Sequence, residues 1–405
     1  MTSFAVDFLG CKVSSVDAQE IRERLVLDGH VEEATGARVR VISTCCVTNE
    51  AVAKSRKTAR RAARVADRVL LTGCGANLAG AAFEGLPANV EVVRRRPEAT
   101  PAAVSEALGP LGCSGGSPAF SRTRAYVKIQ DGCSFSCSYC VIPSVRGASR
   151  SRSATTVLRD AARRAAQGHR EIVLTGINLG CFRDRDAGVD LPRLLEQVVR
   201  LEGVERVRLS SIEVNHLTDR LLRAMSASPA IAPHLHVPMQ SGSDRVLHAM
   251  ARRYTRSTFL HKLARARELV PGLNLTTDMI VGHPSEDADD FAETLAAVRA
   301  AGFGKVHFFP YSPRPGTVDA ADDPVGAADK RERSAALRRL SERQGELHRR
   351  AKLGRADRVL VEDGEGRGYG ADYTPYRVPG APAGQLVDVV AHALEPGRLL
   401  ATMPS

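Results

Sequence analysis

The fold is decided by one stretch, Ala125-Tyr-Val-Lys-Ile-Gln-Asp-Gly-Cys133-Ser-Phe-Ser-Cys137-Ser-Tyr-Cys140. Its first half predicts a strand over 125–130, and its second half places three cysteines on the loop that follows. Three thiolates with x3 and x2 spacing can wrap a four-iron cluster, because thiolate is the usual ligand of its irons. One iron is then left open to a small chelating molecule. The alternative is a zinc knuckle, but no fourth Cys or His follows closely.

Three further cysteines each follow an apolar run: Cys11 after Phe4–Leu9, Cys45 after Val39–Ile42, and Cys74 after Arg68–Leu71. In a parallel sheet such strand ends lie along one edge, where ligands bind. We predict that these three thiols hold a second cluster. The alternative is buried structural cysteine, which is common. The adjacent Cys46 could compete as a ligand, although an extended chain would direct its side chain elsewhere.

Composition indicates a reduced, intracellular protein. The chain has 405 residues, which predicts two or three domains, and nine cysteines. No apolar run is long enough for a transmembrane helix, and no basic stretch precedes an apolar core at the N-terminus, so we expect a cytoplasmic location. In such a chain cysteines point to metal binding or catalysis rather than disulfides. We predict that Cys113 and Cys181 are not ligands.

Positive charge is concentrated around the cysteine loop. The formal net charge is +11, and residues 121–170 contain ten Lys or Arg against two Asp or Glu. Residues 171–325 contain 18 basic and 20 acidic side chains. A basic rim around a reactive centre suits a polyanionic substrate such as RNA. The alternative is a solvated, arginine-rich surface.

The order of apolar and helical patterns predicts an α/β protein. Strands alternating with helices indicate a parallel sheet at the N-terminus, and six further β/α units indicate a partial barrel with its reactive groups at the C-terminal strand ends. The barrel strands include Glu171–Thr175, and its helical patterns cover 155–167, 190–201, 217–226, 256–269 and 287–301. Short strands and Gly-rich turns at the end of the chain indicate a small β-barrel. The predicted segments are an N-terminal α/β domain (1–100), a linker (101–123), a partial (β/α)6 barrel (124–325), a basic helical connector (326–351) and the β-barrel (352–405).

These features together resemble a known family. The C-x3-C-x2-C loop, with Tyr139 before its last cysteine, resembles the signature of the radical S-adenosylmethionine (SAM) superfamily. Both cysteine groups together resemble the methylthiotransferases over nearly the whole chain, as do Thr44-Cys-Cys-Val-Thr-Asn49, Leu235-His-Val-Pro-Met-Gln-Ser-Gly-Ser243 and Tyr311-Ser-Pro-Arg-Pro-Gly-Thr317. The family's order is an N-terminal α/β domain, a radical SAM barrel and a TRAM β-barrel, which matches the predicted segments.

The resemblance implies a SAM-dependent transferase with two [4Fe-4S] clusters. Its metal ligands would be Cys11, Cys45, Cys74, Cys133, Cys137 and Cys140. Lys12-Val13, Val47-Thr-Asn-Glu50 and Ala53-Lys-Ser-Arg56 look most like the branch that adds a methylthio group to C2 of N6-threonylcarbamoyladenosine at position 37 of tRNA. One SAM would methylate sulfur held on the N-terminal cluster, and a radical from a second SAM would remove the C2 hydrogen. The sequence departs from the family at Ser43, where Asn is usual, and at Cys46.

The resemblance also implies binding residues. Those for SAM are Tyr139, Gly176, Asn178, Glu213, Gln240 and Gly282. For RNA, which would be the tRNA anticodon stem-loop, we predict a basic helix, the loop after the cysteines and tyrosine platforms in the β-barrel. These residues are Lys54, Arg56, Lys57, Arg60, Arg61, Arg64, Arg146, Arg150, Arg152, Tyr369, Tyr373 and Tyr376.

Other functions stay open at this point. The substrate could be isopentenyladenosine of tRNA or an aspartate of a ribosomal protein. A ribosomal protein would itself be basic, however, and a basic rim would repel it. A protein of another class, an iron–sulfur RNA-binding protein without turnover, is disfavoured by the intact C-x3-C-x2-C motif. Turnover would require a reductant, for which a flavodoxin-like or ferredoxin-like protein is the expected partner.

Overall fold

The computed structural model describes residues 2–109, 123–321 and 323–404. Contacts within the chain divide it into two units. The first combines Met1–Ser121, Asp131–Ser149 and Ser312–Asp322, and the second combines Arg122–Gln130, Arg150–Tyr311 and Asp323–Ser405. Both groups of predicted cluster ligands therefore lie in the first unit. Within the described ranges no helix is long and apolar enough to cross a membrane. Cys113 lies outside the described residues.

The first unit contains a parallel sheet, as the sequence predicted. Its strands are β1 (Ser3–Phe8), β2 (Val31–Glu32), β3 (Val39–Thr44), β4 (Arg68–Thr72) and β5 (Val90–Val92). They lie in the order β2-β1-β3-β4-β5, and every pair is parallel. The sequence did not predict β2 and β5, because two or three residues are too few to show an alternating pattern.

Helices cover both faces of this sheet. The helices of the unit are α1 (Lys12–Leu27), α2 (Asn49–Ala62), α3 (Gly73–Ala76), α4 (Thr100–Leu108) and α5 (Ile142–Arg146). On one face, Ile21 and Leu25 of α1 and Val104 of α4 are buried against the strands. Each such side chain contributes about 1.5–3 kcal/mol when fully buried. On the other face, Ala59 and Ala62 of α2 pack on the sheet. Helix α4 lies in the predicted linker, part of which is therefore packed structure.

The second unit contains the predicted partial barrel. Between residues 124 and 310 the strands are β6 (Arg124–Lys128), β7 (Gln130–Asp131), β8 (Arg150–Ser151), β9 (Glu171–Thr175), β10 (Arg183–Asp184), β11 (Val189–Asp190), β12 (Arg206–Leu209), β13 (His234–His236), β14 (Asn274–Val281) and β15 (Lys305–Pro310). Six of them run parallel in the order β6-β9-β12-β13-β14-β15, with bridges such as Ser211 to His236 joining β12 to β13. This confirms the fold expected from the cysteine loop and its strand.

The outer helices of the barrel are α6 (Ala154–Ala166), α7 (Leu191–Val198), α8 (Asp219–Ser226), α9 (Asp244–Ala249), α10 (Arg256–Leu269), α11 (Ala288–Ala301) and α12 (Ala327–Arg350). All of them except α9 correspond to helical segments predicted from the sequence. Short 3-10 turns span Leu179–Cys181, Val214–His216 and Val318–Ala321. The large apolar core lies between these helices and the strands, and Leu174, Leu209 and Leu275 are buried there. Because side chains alternate along a strand, the other strand face lines the barrel interior and carries more polar residues.

A closed β-barrel ends the chain, as predicted. Its strands are β16 (Ala356–Val361), β17 (Arg367–Tyr369), β18 (Pro375–Arg377), β19 (Leu386–Glu395) and β20 (Arg398–Thr402). They close in the order β16-β17-β18-β20-β19 around an apolar core that includes Val361, Tyr376 and Leu399. Closure leaves no free strand edge, which avoids edge-to-edge association.

Buried charges connect the partial barrel to the closed β-barrel. Glu171 of β9 is fully buried, and its carboxylate accepts from Arg208 Nε at 2.8 Å and from an Arg206 guanidinium nitrogen at 3.2 Å. The same arginines donate to backbone carbonyls of the C-terminal barrel, including those of Tyr369 at 3.3 Å and Ala371 at 3.0 Å. Burial alone would raise the pKa of Glu171, but Arg208 and then Arg206 outweigh it and lower the pKa to about 2.

We expect Glu171→Gln to lower the free energy of unfolding by about 3–5 kcal/mol at pH 7, because it leaves two buried arginines without their carboxylate. Since the folded pKa of Glu171 is depressed from 4.5, its stabilising effect is complete above about pH 4.5 and is lost as pH falls toward 2. Denaturant unfolding of wild type and variant at pH 7 and pH 3 measures both effects.

Glu205→Gln is the matched control for this prediction. Glu205 pairs with Arg170 and Arg358, but its side chain is 28% exposed and both arginines are more exposed still. A surface pair of this kind contributes about 1 kcal/mol or less. Equal losses for the two variants at pH 7, or a Glu171→Gln loss that does not shrink at pH 3, would contradict the assignment.

Candidate cluster sites

The register of the N-terminal sheet brings three strand ends level. Phe8 of β1 pairs with Ser43 of β3, and Ser43 pairs in turn with Thr72 of β4. Cys11 follows Phe8 by three residues, Cys45 follows Ser43 by two, and Cys74 follows Thr72 by two. The three cysteines predicted from separate parts of the sequence therefore emerge along one edge of the sheet.

Thr44 fixes the backbone between Cys45 and Cys74. Its hydroxyl donates to the Thr72 carbonyl at 2.5 Å and accepts from the Ala76 amide at 2.9 Å. Gly73 lies beside it with φ of 86°, and a Cβ there would meet the Thr44 carbonyl oxygen at 2.8 Å. A larger residue at 73 would both strain the backbone and push the two strand ends apart.

The three thiols differ in exposure but lie within electrostatic reach of one another. Cys11 is exposed at the start of α1, whereas Cys45 and Cys74 are buried. Burial raises the pKa of the Cys45 thiol, and the neighbouring Cys11 and Cys74 raise it further. The structure thus brings together the three N-terminal residues that the sequence predicted as ligands.

Cys46 is a fourth thiol at this edge. It is fully buried and packs in the same small cluster as Cys74. The Cys46 thiol and the adjacent Arg146 guanidinium together lower the pKa of Cys74. The sequence made the direction of the Cys46 side chain depend on whether the chain stays extended, and the structure ends β3 at Thr44 and packs Cys46 in the same cluster as Cys74.

The loop of the second cysteine group is tied down by backbone contacts. The Cys133 amide donates to the Gly147 carbonyl at 3.0 Å, and the Cys140 amide donates to the Cys137 carbonyl at 3.1 Å. Gly132 has φ of 69°, and a Cβ there would meet the Ala148 carbonyl oxygen at 2.2 Å. The amide of Phe135 points at the Cys133 sulfur from 3.4 Å. All three cysteines are half-buried, so their sulfurs remain accessible to a ligand.

Arg146 was predicted to bind RNA, and this prediction is wrong. Its side chain is 1% exposed, and its guanidinium donates to Asp131 at 2.6 and 2.8 Å and to Asp17 at 2.9 Å. A further guanidinium nitrogen lies 3.2 Å from the Cys74 sulfur. The excess of basic residues around the cysteine loop suggested that Arg146 binds RNA. Its buried ion pair with Asp17 could not be predicted, because Asp17 is distant in sequence.

The donor set fits iron–sulfur clusters better than single ions. Within the described ranges no three His, Cys, Asp or Glu side chains are spaced to hold one metal ion. A cubane is wider than an ion and takes its protein ligands from thiolates, and each group supplies three. The Arg146 guanidinium directed at Cys74, and the Phe135 amide directed at Cys133, match the environment that such sulfurs require.

The residues predicted to contact SAM lie in the second unit, except Tyr139, which is half-buried in the cysteine loop of the first. Gly176 and Asn178 follow β9, and the Asn178 side-chain oxygen is buried with no hydrogen-bond partner among the described residues. The hydroxyls of Thr175 and Ser210, at the ends of β9 and β12, share this property. The sequence did not single out those two hydroxyls.

The other three predicted SAM residues are Gln240, Glu213 and Gly282, which differ in backbone conformation and in hydrogen bonding. Gln240 has φ of 70°, a left-handed conformation that is uncommon outside glycine and often marks a functional site. Glu213 accepts hydrogen bonds from the amide and side chain of Asn215, at 2.9 and 3.2 Å. The Gly282 amide donates to Glu286 at 2.8 Å.

Most of the basic side chains predicted on and after α2 are available to a partner. Lys54, Lys57, Arg61 and Arg64 are exposed and spaced by three, four and three residues, which places them on one helical face. Arg60 is exposed beside them. Arg56 differs, because its guanidinium is engaged with the carbonyls of Ala82 and Glu84.

The predicted tyrosine platforms are used within the protein. Tyr376 is 1% exposed and donates to Asp357 at 2.9 Å, so its predicted stacking role is wrong. Tyr369 stacks on Tyr373 with centroids 4.7 Å apart, and Arg124 lies 4.9 Å from the Tyr369 ring. Their rings pack where the partial barrel meets the closed barrel.

The two remaining predicted RNA contacts after the cysteine loop are Arg150 and Arg152. Both are half-buried, and Arg152 lies 3.8 Å from Asp160.

Family comparisons agree with this geometry. Residues 127–298 match the Radical SAM superfamily, and residues 3–94 match the family described as Uncharacterized protein family UPF0004. The structure of the radical SAM methyltransferase TsrM from Kitasatospora setae superposes with a TM-score of 0.59 over 79% of this chain and 75% of that one, at 14% identity. These matches show a radical SAM fold that follows an N-terminal α/β domain along the chain.

Relatives that align over most of the chain show which radical SAM enzymes it is similar to. The threonylcarbamoyladenosine tRNA methylthiotransferase MtaB of Thermotoga maritima is 32% identical and aligns over 97% of this chain and 95% of its own. The enzyme of the same name from Bacillus subtilis is 37% identical over 84% and 81%. The tRNA-2-methylthio-N(6)-dimethylallyladenosine synthase of Sphingopyxis alaskensis is 31% identical over 98% and 96%. The chain belongs to the radical SAM methylthiotransferase family, and it is an enzyme that uses SAM and two [4Fe-4S] clusters.

Proposed function

We propose that the protein adds a methylthio group to C2 of N6-threonylcarbamoyladenosine at position 37 of tRNA. The observation that carries this proposal is the pairing of two three-cysteine groups in one unit, in a chain whose relatives from Thermotoga maritima and Bacillus subtilis are named for that nucleoside. The second candidate is the dimethylallyl-substituted adenosine, which the name of the Sphingopyxis alaskensis relative favours. The names of these relatives give no support to a ribosomal-protein substrate.

In this proposal Cys11, Cys45 and Cys74 hold one cluster, and Cys133, Cys137 and Cys140 hold the other. When bound, the second cluster and SAM supply the radical that can remove hydrogen from an unactivated aromatic carbon. The chain's own contribution is to fix the thiolates, orient SAM and exclude water. Thr44 and Gly73 fix the thiolates at the sheet edge. Hydrogen bonds between residues 146–149 and the cysteine loop fix the other three.

Tyr139, Gly176, Asn178, Glu213, Gln240 and Gly282 are the proposed SAM contacts. The support is strongest for Asn178, whose buried oxygen still lacks a hydrogen-bond donor among the described residues. A buried acceptor in this state costs about 1–3 kcal/mol, which a donor on a bound ligand can offset. Gln240 is supported by its left-handed backbone, since such strain concentrates at ligand sites. Glu213 and Gly282 would act through turns that they already stabilise.

The proposed partner is the anticodon stem-loop of a tRNA, and the proposed location is the cytoplasm, where tRNA is found. Contacts to it would come from the exposed face of α2 and from Arg150 and Arg152. The target adenine must leave its stack to reach a buried centre. A flavodoxin-like or ferredoxin-like protein is the proposed reductant.

Replacing Lys54, Lys57 and Arg61 together by Gln should weaken tRNA binding at least tenfold, because phosphate contacts dominate such affinity. The slope of log K against log salt should fall by about 0.7–0.9 for each phosphate contact removed. Filter binding of unmodified tRNA across a salt series measures both. The matched control replaces three exposed arginines, Arg185, Arg193 and Arg200, by Gln, and an equal loss in the control would contradict the assignment of α2.

The substrate is tested by mass spectrometry of tRNA nucleosides from a strain that lacks this gene. The methylthio derivative of threonylcarbamoyladenosine should be absent, its unmethylthiolated precursor should accumulate, and a plasmid copy should restore the product. Persistence of that derivative, with loss of the methylthio dimethylallyl nucleoside instead, would overturn the first candidate in favour of the second.

A further inference from the structure

Two buried side chains lie beside the sulfur of Cys74. One is Arg146, whose guanidinium nitrogen donates to the sulfur at 3.2 Å, and the other is Cys46, which packs in the same small cluster as Cys74. Arg146 is 1%, Cys46 0% and Cys74 5% exposed. Neither side chain is required to build a three-cysteine site, and neither is explained by the proposed ligand set.

The direction of Arg146 is fixed by its other partners. Asp131 accepts from two of its nitrogens, at 2.6 and 2.8 Å, and Asp17 accepts at 2.9 Å. Charge-assisted bonds to two carboxylates hold the planar guanidinium in one orientation, which a lysine could not reproduce. The nitrogen that faces Cys74 is therefore held there by the fold.

The two carboxylates come from the elements that carry the two cysteine groups. Asp131 precedes Cys133 by two residues, and Asp17 lies on α1, which begins just after Cys11. Arg146 itself ends α5, which follows the cysteine loop. Val141 and Val145 pack against Cys46 and Cys74 in a small apolar cluster of the same unit. The donor is thus positioned by both ligand-bearing segments at once.

Hydrogen bonds to cluster sulfurs, and nearby positive charge, stabilise the more negative reduced state of a cluster. Burial strengthens both effects because the local dielectric constant is low. Among the other thiols of the group, Cys45 has only backbone amides, those of Cys46 and Val47, as hydrogen-bond donors. Cys11 is exposed, and its sulfur contacts the Ser14 hydroxyl at 3.7 Å.

We infer that Arg146 and Cys46 are positioning residues that raise the reduction potential of the N-terminal cluster by donating hydrogen bonds to the Cys74 sulfur. This inference rests on the proposed ligand set of Cys11, Cys45 and Cys74. It assigns a role to Cys46, where the chain departs from the pattern of the family that it resembles, and gives Arg146 a function other than RNA binding.

The test uses full-length protein in which Cys133, Cys137 and Cys140 are all replaced by Ala, so that only the N-terminal cluster reports. After anaerobic reconstitution, iron content and the midpoint potential from an EPR-monitored redox titration are measured. Cys46→Ala and Arg146→Lys are each expected to make the midpoint more negative than in this parent. Cys46→Ser keeps a hydroxyl donor and should leave the midpoint near that of the parent, as should Ser144→Ala on the exposed side of α5.

Each outcome decides one of the two claims. If the parent binds no cluster, the ligand set fails and the inference fails with it. If the parent binds about four irons but neither Cys46→Ala nor Arg146→Lys shifts the midpoint, the ligand set stands and the inference is overturned. If Cys46→Ala loses its iron, Cys46 is a ligand rather than a donor, which also overturns the inference.

Discussion

Replacing Cys137 by Ala should abolish the formation of 5′-deoxyadenosine from SAM. The loop would then supply two thiolates instead of three, and a four-iron cluster held by two cysteines is not retained in a state that can bind and reduce SAM. Iron content should fall from about eight to about four per chain, because the N-terminal group is untouched. The measurement is liquid chromatography of the products formed with SAM and dithionite, alongside iron analysis of the same sample.

Cys181→Ala is the matched control for the Cys137 variant. Cys181 is half-buried in a 3-10 turn of the second unit, where its sulfur lies 3.5 Å from His216 Nε2, and it is remote in sequence from both ligand groups. The control should keep its iron and continue to cleave SAM. Normal 5′-deoxyadenosine formation by the Cys137 variant would remove the loop from the chemistry and leave the enzyme assignment without its cleavage site.

The fold could be predicted well because its signals are local. Glu171–Thr175 was predicted at the bounds that the structure shows, and helix 256–269 coincides with α10. These elements have strong apolar periodicity, which local sequence reports directly. The alignment of Cys11, Cys45 and Cys74 could also be predicted, because parallel strands bring equivalent ends to one edge of a sheet.

The environment of the sulfurs could not be predicted, because it depends on contacts between residues distant in sequence. Arg146 and Asp17 are separated by more than a hundred positions, and no pattern in either segment indicates their ion pair. The direction of the Cys46 side chain depended on whether the chain stays extended past Cys45, which the local pattern does not show, and β3 ends at Thr44. Tyr376 looked like a stacking platform because a short strand of a small barrel does not reveal which of its faces is the core.

Replacing Cys74 by Ala should give the opposite phenotype to the Cys137 variant: SAM is cleaved, but no methylthio product forms. Cys74 is one of two buried ligands of the proposed N-terminal cluster and accepts a hydrogen bond from Arg146, so its removal deletes one thiolate and one buried acceptor. The loop cysteines Cys133, Cys137 and Cys140 remain, and about four irons per chain should remain with them.

Incubating the Cys74 variant with SAM, dithionite and tRNA that carries threonylcarbamoyladenosine without its methylthio group should therefore release 5′-deoxyadenosine, while nucleoside mass spectrometry detects no methylthio derivative. Each cysteine variant is the control for the other, since each lacks one thiolate of one three-cysteine group and keeps the other group intact. If the Cys74 variant still made the methylthio product, the sheet edge would not hold the sulfur that is transferred. If it failed to cleave SAM, the two groups would not act separately, because the Arg146 contact would then be needed to hold the loop in its active form.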